Sequence, residues 1–131
     1  LVNLAIPPTP NPYGYAAAEA AYRDGEEWRR ALIDYLRGNR DTLAEALKRM
    51  PGGLSMAAVE GTYLAWVDVR NTGLDEPVRF FEEAGVGLQD GREFDGPGFV
   101  RLNFGCPRVV LKEALARMGR ALERRFAGAG S

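Results

Sequence analysis

The sequence predicts an α+β fold: a small antiparallel or mixed sheet covered by helices on one face. Three observations carry that expectation. Apolar residues recur at helical spacing as far as Met50, then at every second residue beyond Pro51-Gly52-Gly53, then at helical spacing again after Pro107. The resulting order is helix, helix, strands, helix, edge strand, strand, helix, in which helices alternate with short strands. The chain has 131 residues, the size of one ordinary domain and enough to bury a real core.

Taken in order, residues 1–14 carry Pro7, Pro8, Pro10 and Pro12, a density that predicts an extended lead-in. A short helix is expected over 15–23. Its Ala16, Ala17, Ala18, Ala20 and Ala21 leave it small and apolar nearly all round, the composition of a helix enclosed on several sides. Asp24-Gly25 ends it. A longer helix follows over 26–49, with Trp28, Leu32, Tyr35 or Leu36, Leu43, Leu47 and Met50 at spacings of three and four. Glu26 and Glu27 sit at the positive end of its dipole, and Lys48 and Arg49 at the negative end.

Residues 55–59 read as a short strand and 62–69 as a stronger one, with Gly61 as a bulge or kink between them. Parity puts Tyr63 and Trp66 on opposite faces, Trp66 most simply in the core and Tyr63 either packed beneath a helix or lining a cleft. Asn71-Thr72-Gly73 is turn chemistry, and Asp75 is placed to cap a helix over 76–84 with Pro77 in its first turn. An edge strand is expected over 85–88. The glycines of 85–98 are expected to supply turn conformations in a segment that moves, because a phosphate cradle would need a P-loop spacing that is absent. A strand over 99–104 and a final helix over 107–126 complete the chain. Leu111, Leu115, Met118, Leu122 and Phe126 form the helix's apolar stripe, and 127–131 are expected to fray.

Composition narrows the chemistry. A net charge of -1 argues against nucleic acid or an anionic membrane surface as partner, and no apolar run approaches transmembrane length. The chain contains no histidine, which removes the commonest general base and metal ligand and makes a Ser-His or Cys-His nucleophile impossible within it. No cluster has metal-ligand spacing. The single cysteine, Cys106, fits a reducing compartment, so cytoplasm is expected. Cys106 itself reads as a small packing residue. The chain begins at Leu1 rather than methionine, which suggests processing, a cloning boundary or a fragment.

The most telling stretch is Phe99 to Arg108. Val100, Leu102 and Phe104 alternate on one face, so Arg101 shares the other with Phe99 and Asn103. A cation in an apolar strand is costly to desolvate unless an anion meets it, and an arginine on a rigid strand makes a receptor for a small carboxylate. Asn103 either orients Arg101 or satisfies a neighbouring backbone group. Arg108, at a helix start where a cation opposes the dipole, is either solvated or paired with a carboxylate.

Several pieces in order carry a resemblance: Ala20 to Trp28, Tyr35 to Arg40, Glu60 to Trp66, Gly85 to Leu88 with Asp90-Gly91, and Phe99 to Arg108. Together they resemble the C-terminal small domain of fold type I pyridoxal-phosphate enzymes of the class I/II aminotransferase family. The nearest branch is the cystathionine β-lyase-like C–S lyases. The match covers most of residues 11–126. The resemblance implies a cofactor, pyridoxal phosphate, held elsewhere by a lysine Schiff base, and a small domain whose arginine grips the α-carboxylate of an amino-acid substrate. The matching position is Arg101, with Asn103 and Tyr63 as secondary candidates. It further implies a homodimer in which Asn11 and Tyr13 approach the cofactor phosphate of the neighbouring subunit. Residues 1–27 would then be the tail of the large-domain region and a linker, and residues 28–131 the small domain.

Lys48 and Lys112 read as solvated helix charges, so the cofactor lysine, the partner of the pyridinium nitrogen and the stacking aromatic are expected upstream of Leu1. The piece alone is expected to be inactive and to show self-association or contacts through residues 1–30, with the missing large domain as a partner. Two alternatives remain: the same domain of a true aminotransferase, and a non-enzymatic α+β module docking through helix 15–23.

Overall fold

A computed structural model describes residues 11–128. The expected lead-in over 1–10 and the end of the expected fraying tail, 129–131, lie outside the described residues. The chain divides into two compact units, one ending at Asp34 and the other beginning at Tyr35.

The first unit contains helix α1 (Pro12–Asp24) and the start of α2 (Glu26–Arg49). Helix α1 begins at Pro12, not at Tyr15. Asn11 Oδ1 accepts a hydrogen bond from the Gly14 amide at 2.8 Å, and Pro12 occupies the first helical position, where a missing N–H costs nothing. The prolines thus lead into a capped helix rather than prolonging an extended arm. The expected enclosure of α1 is not found among the described residues: it buries no side chain, and Tyr13 and Tyr22 are 86% and 92% exposed.

Helix α2 has the predicted bounds, but only its second half enters the core. Trp28 stays exposed, whereas Leu43 and Leu47 are buried and Leu36 packs against them. After it come β1 (Ser55–Met56), β2 (Leu64–Asp68), α3 (Pro77–Glu83), β3 (Gln89–Asp90), β4 (Phe99–Asn103) and α4 (Arg108–Gly128), with 3-10 turns at Arg70–Thr72 and Gly91–Phe94. The four strands form one antiparallel sheet in the order β1-β2-β4-β3.

Ala65, Val67, Val100 and Leu102 line its inner face, where Leu43 and Leu47 of α2, Phe81 of α3, and Leu111, Leu115, Met118 and Leu122 of α4 join one buried cluster. Burying a Leu or Phe contributes about 1.5–3 kcal/mol, so this cluster outweighs any local propensity in fixing the fold. The α+β fold with helices over one face is what the sequence predicts.

Local departures have local reasons. The first strand stops at Met56, and Gly61 lies in an open loop over 57–63 rather than in a bulge. The edge strand is Gln89–Asp90, because Gly85 (φ +78°) ends α3 and Val86 drops into the core before the sheet edge is reached. Glu76, not Asp75, is the residue before α3, and it makes no capping hydrogen bond; its carboxylate reaches Arg92 instead, at 2.8 Å. Trp66 is not in the core, since its neighbours Ala65 and Val67 are the residues that face inward.

Candidate functional site

The outer face of the sheet carries a row of alternating rings and cations. Register sets it: Trp66 of β2 and Gln89 of β3 both pair with Arg101, and Asp68 pairs with Phe99. Trp66 stacks on Phe99 with centroids 5.6 Å apart, and Phe94 meets Trp66 edge-on at 6.1 Å. Arg70 lies over Phe99 at 5.0 Å and Arg101 over Phe94 at 4.1 Å, each close enough for the ring's negative face to attract the cation. Gly96 makes the row possible: a Cβ there would stand 2.3 Å from the Trp66 ring. Close approach, rather than a special backbone conformation, is what Gly91 and Gly96 provide in the 85–98 segment, while Gly85 and Gly98 do take positive φ.

The two arginines differ in how their charge is used. Arg70 donates from Nε and Nη2 to both oxygens of Asp68, at 2.6–3.1 Å, and these bonds hold the Asp68 carboxyl below the usual carboxylate range. Arg101 is half-buried; it donates from Nε to Gln89 Oε1 at 2.7 Å and from Nη2 to the same oxygen. Among the described residues it forms no ion pair, so a neutral amide orients it and its charge is uncompensated. A fixed, unneutralised guanidinium on a rigid strand is suited to receive a carboxylate.

The other candidate residues are placed as follows. Asn103 Oδ1 accepts from the Gly105 amide at 2.8 Å, so its acceptor closes the turn after β4. Tyr63 precedes β2, is half-exposed, and its carbonyl accepts from the Phe104 amide at 2.9 Å. Its ring flanks Gly105, where a Cβ would sit 3.1 Å away. In the other unit, Asn11 caps α1 and Tyr13 projects from it, exposed. Cys106 is partly buried against the core.

Arg108 is not free, and among the described residues it pairs with no carboxylate. Its Nε donates to Asn39 Oδ1 at 2.9 Å, its Nη2 donates to the Tyr35 carbonyl at 3.0 Å, and its guanidinium lies 4.7 Å from the Tyr35 ring centroid. Gly38 leaves room for it, since a Cβ there would fall 2.5 Å from Nη2. Asn39, wholly buried, also donates to the carbonyls of Phe104 and Cys106, both at 2.9 Å. It thereby ties α2 to the turn that follows β4. Sequence reading missed Gln89, Phe94 and Asn39. A polar residue on the buried stripe of α2 is a signal that could have found Asn39; nothing local marks the other two.

Among the described residues no helix is long and apolar enough to cross a membrane, and no group of three or more acidic or cysteine side chains could hold a metal ion. Covalent attachment of pyridoxal phosphate does not fit the lysines present. Lys48 is exposed on α2 and bonded to Glu45 at 2.8 Å, and Lys112 is exposed on α4.

Comparison with known proteins is consistent across sequence and structure. Residues 5–118 match the family described as aminotransferase class I and II. The cystathionine beta-lyase of Corynebacterium glutamicum is 39% identical over 112 residues, which cover 83% of this chain and 30% of that protein. A solved structure of OvoB superposes with a TM-score of 0.84 at 48% identity, over 91% of this chain and 31% of that one. The C–S lyase of Staphylococcus hominis, solved with pyridoxal phosphate bound, superposes with a TM-score of 0.79 at 35% identity, over 88% of this chain and 32% of that one. The chain thus spans about a third of the length of the relatives it matches. By both sequence and fold, the chain belongs to the class I and II aminotransferase family.

Proposed function

We propose that this chain is the substrate-gripping small domain of a pyridoxal-phosphate-dependent C–S β-lyase, with Arg101 binding the α-carboxylate of the amino-acid substrate. The observation that supports this most directly is that Arg101 is held by a neutral amide and faces away from the helical layer, while Arg70 on the same face is neutralised by Asp68. Each charge-assisted hydrogen bond from a desolvated guanidinium to a carboxylate contributes about 1.5–3 kcal/mol. A fork of two also fixes the substrate's orientation, which reaches beyond affinity. Cofactor chemistry belongs to residues outside this chain, and the chain alone is inactive in this reading.

Residues 1–27 are assigned to the large-domain tail and linker and residues 28–131 to the small domain. The division of the chain into two compact units supports a two-part reading. A homodimer, with Asn11 and Tyr13 approaching the neighbouring subunit's cofactor phosphate, and a cytoplasmic location belong to the same proposal. The lyase reading is preferred to a transaminase because cystathionine beta-lyases stand among the relatives at 32–39% identity, while LL-diaminopimelate aminotransferases stand at 31%.

The test is steady-state kinetics with L-cystathionine on the full-length protein that carries this chain. Arg101→Ala should raise KM and lower kcat, together about a hundredfold in kcat/KM, with cofactor absorbance nearly unchanged. Unaltered kinetics would remove Arg101 from the site.

A further inference from the structure

An arginine carries five N–H donors, and how they are shared decides where a ligand can bind. In Arg101 the Nε–H and one Nη2–H go to Gln89 Oε1. That fills the side-on edge of the fork and leaves the end-on edge, formed by Nη1 and the second Nη2–H. The holder comes from the edge strand: Gln89 of β3 lies opposite Arg101 in register. Phe94 lies under the same guanidinium at 4.1 Å, carried by the 3-10 turn Gly91–Phe94 into which β3 leads. One short segment, 89–94, therefore clamps the cation from its side and from below.

The chemistry of the clamp matters as much as its geometry. An amide oxygen orients the guanidinium without neutralising it. A carboxylate in that place would form the stronger charge-assisted pair that Asp68 forms with Arg70, and would compete with an incoming carboxylate. We propose that Gln89 is a positioning residue that holds Arg101 with its end-on edge presented to the substrate carboxylate, and that its neutrality keeps the receptor vacant. The proposal rests on the reading of Arg101 as the carboxylate receptor, and its test separates the two.

Kinetics with L-cystathionine on the full-length protein would compare Arg101→Ala, Gln89→Glu and Gln89→Leu, with the melting temperature of each variant. Gln89→Glu has the same reach and adds only charge. It should raise KM about tenfold, with the loss falling on KM more than on kcat, because saturating substrate displaces the competitor. Gln89→Leu removes the acceptor without adding a competitor. It should raise KM less, about threefold, and lower kcat as well, because the fork is no longer oriented. If Arg101→Ala raises KM while both Gln89 variants match the parent, the positioning role is overturned and the carboxylate reading stands. If the Gln89 variants lower melting temperature and kcat together with KM unmoved, Gln89 is merely structural and the inference also fails. If Arg101→Ala leaves KM unchanged, the carboxylate reading fails and takes the inference with it.

Discussion

Asn39 is wholly buried, yet its two amide hydrogens and its oxygen are all used, on the Phe104 carbonyl, the Cys106 carbonyl and Arg108 Nε. A buried polar group is tolerable only when satisfied in this way, and removing one partner strands the others. Asn39→Leu keeps the volume and deletes all three bonds, leaving two carbonyls without their side-chain donor. It should lower stability by about 2–4 kcal/mol, read as a shift in the urea midpoint; a loss under about 1 kcal/mol would mean the clasp is not needed. The residue scale also shows where sequence reading runs out. Parity alone placed Arg101 opposite Val100 and Leu102. The partners that give it meaning, Gln89 and Phe94, depend on which strand lies beside β4, and Asn39 meets its acceptor carbonyls 65 and 67 positions along the chain. No local pattern encodes such pairings.

At the scale of elements, the 89–98 segment depends on close approach at Gly91 and Gly96 and on a positive φ at Gly98. A Cβ on Gly91 would lie 2.2 Å from the Gly96 carbonyl oxygen and 2.5 Å from that of Phe99, and backbone atoms cannot step aside as a flexible side chain can. Gly91→Ala should therefore cost about 2–4 kcal/mol, whereas Gly61→Ala, with nothing near it, should stay within about 0.5 kcal/mol of the parent. Thermal melts of the two variants check this, and equal melting temperatures would contradict the close packing. The long helices were legible almost to the residue: α2 runs Glu26–Arg49, between a Gly25 break and a Pro-Gly-Gly stop. The short strands were not, because a two-residue strand such as β1 or β3 exists only through its neighbour's register.

Across the whole molecule, every carboxyl among the described residues that departs from its ordinary pKa does so downward, so the response to pH should be one-sided. Hydrogen bonds from arginine lower the carboxyl pKa of Asp68, Glu76 and Asp90, and that of Glu26 falls to about 2 through Arg29 and Arg30. A carboxyl whose folded pKa lies below its unfolded value contributes fully above the unfolded value, and that contribution disappears as pH falls through the folded one. The unfolded values are about 3.9 for Asp and 4.3 for Glu, and without histidine no side chain of ordinary pKa titrates between pH 5 and 7. The urea midpoint should be level across neutral pH and should drop below about pH 4, each exposed pair contributing little by itself. Arg92→Gln, which releases both Glu76 and Asp90, should make the acid limb shallower. A midpoint that rises on acidification would contradict the sign.

Periodicity, breakers and caps lie within a few residues of one another, so the chain's own order determined the helices, the inward face of β4, the α+β class and the side of the sheet to which Arg101 belongs. Tertiary structure alone decided that Arg101 would be held by the amide of Gln89, that Trp66 would face outward, and that Asn39 would tie α2 to the turn after β4. Those outcomes depend on strand order and on contacts between distant segments, and only the folded backbone brings such segments within hydrogen-bonding distance.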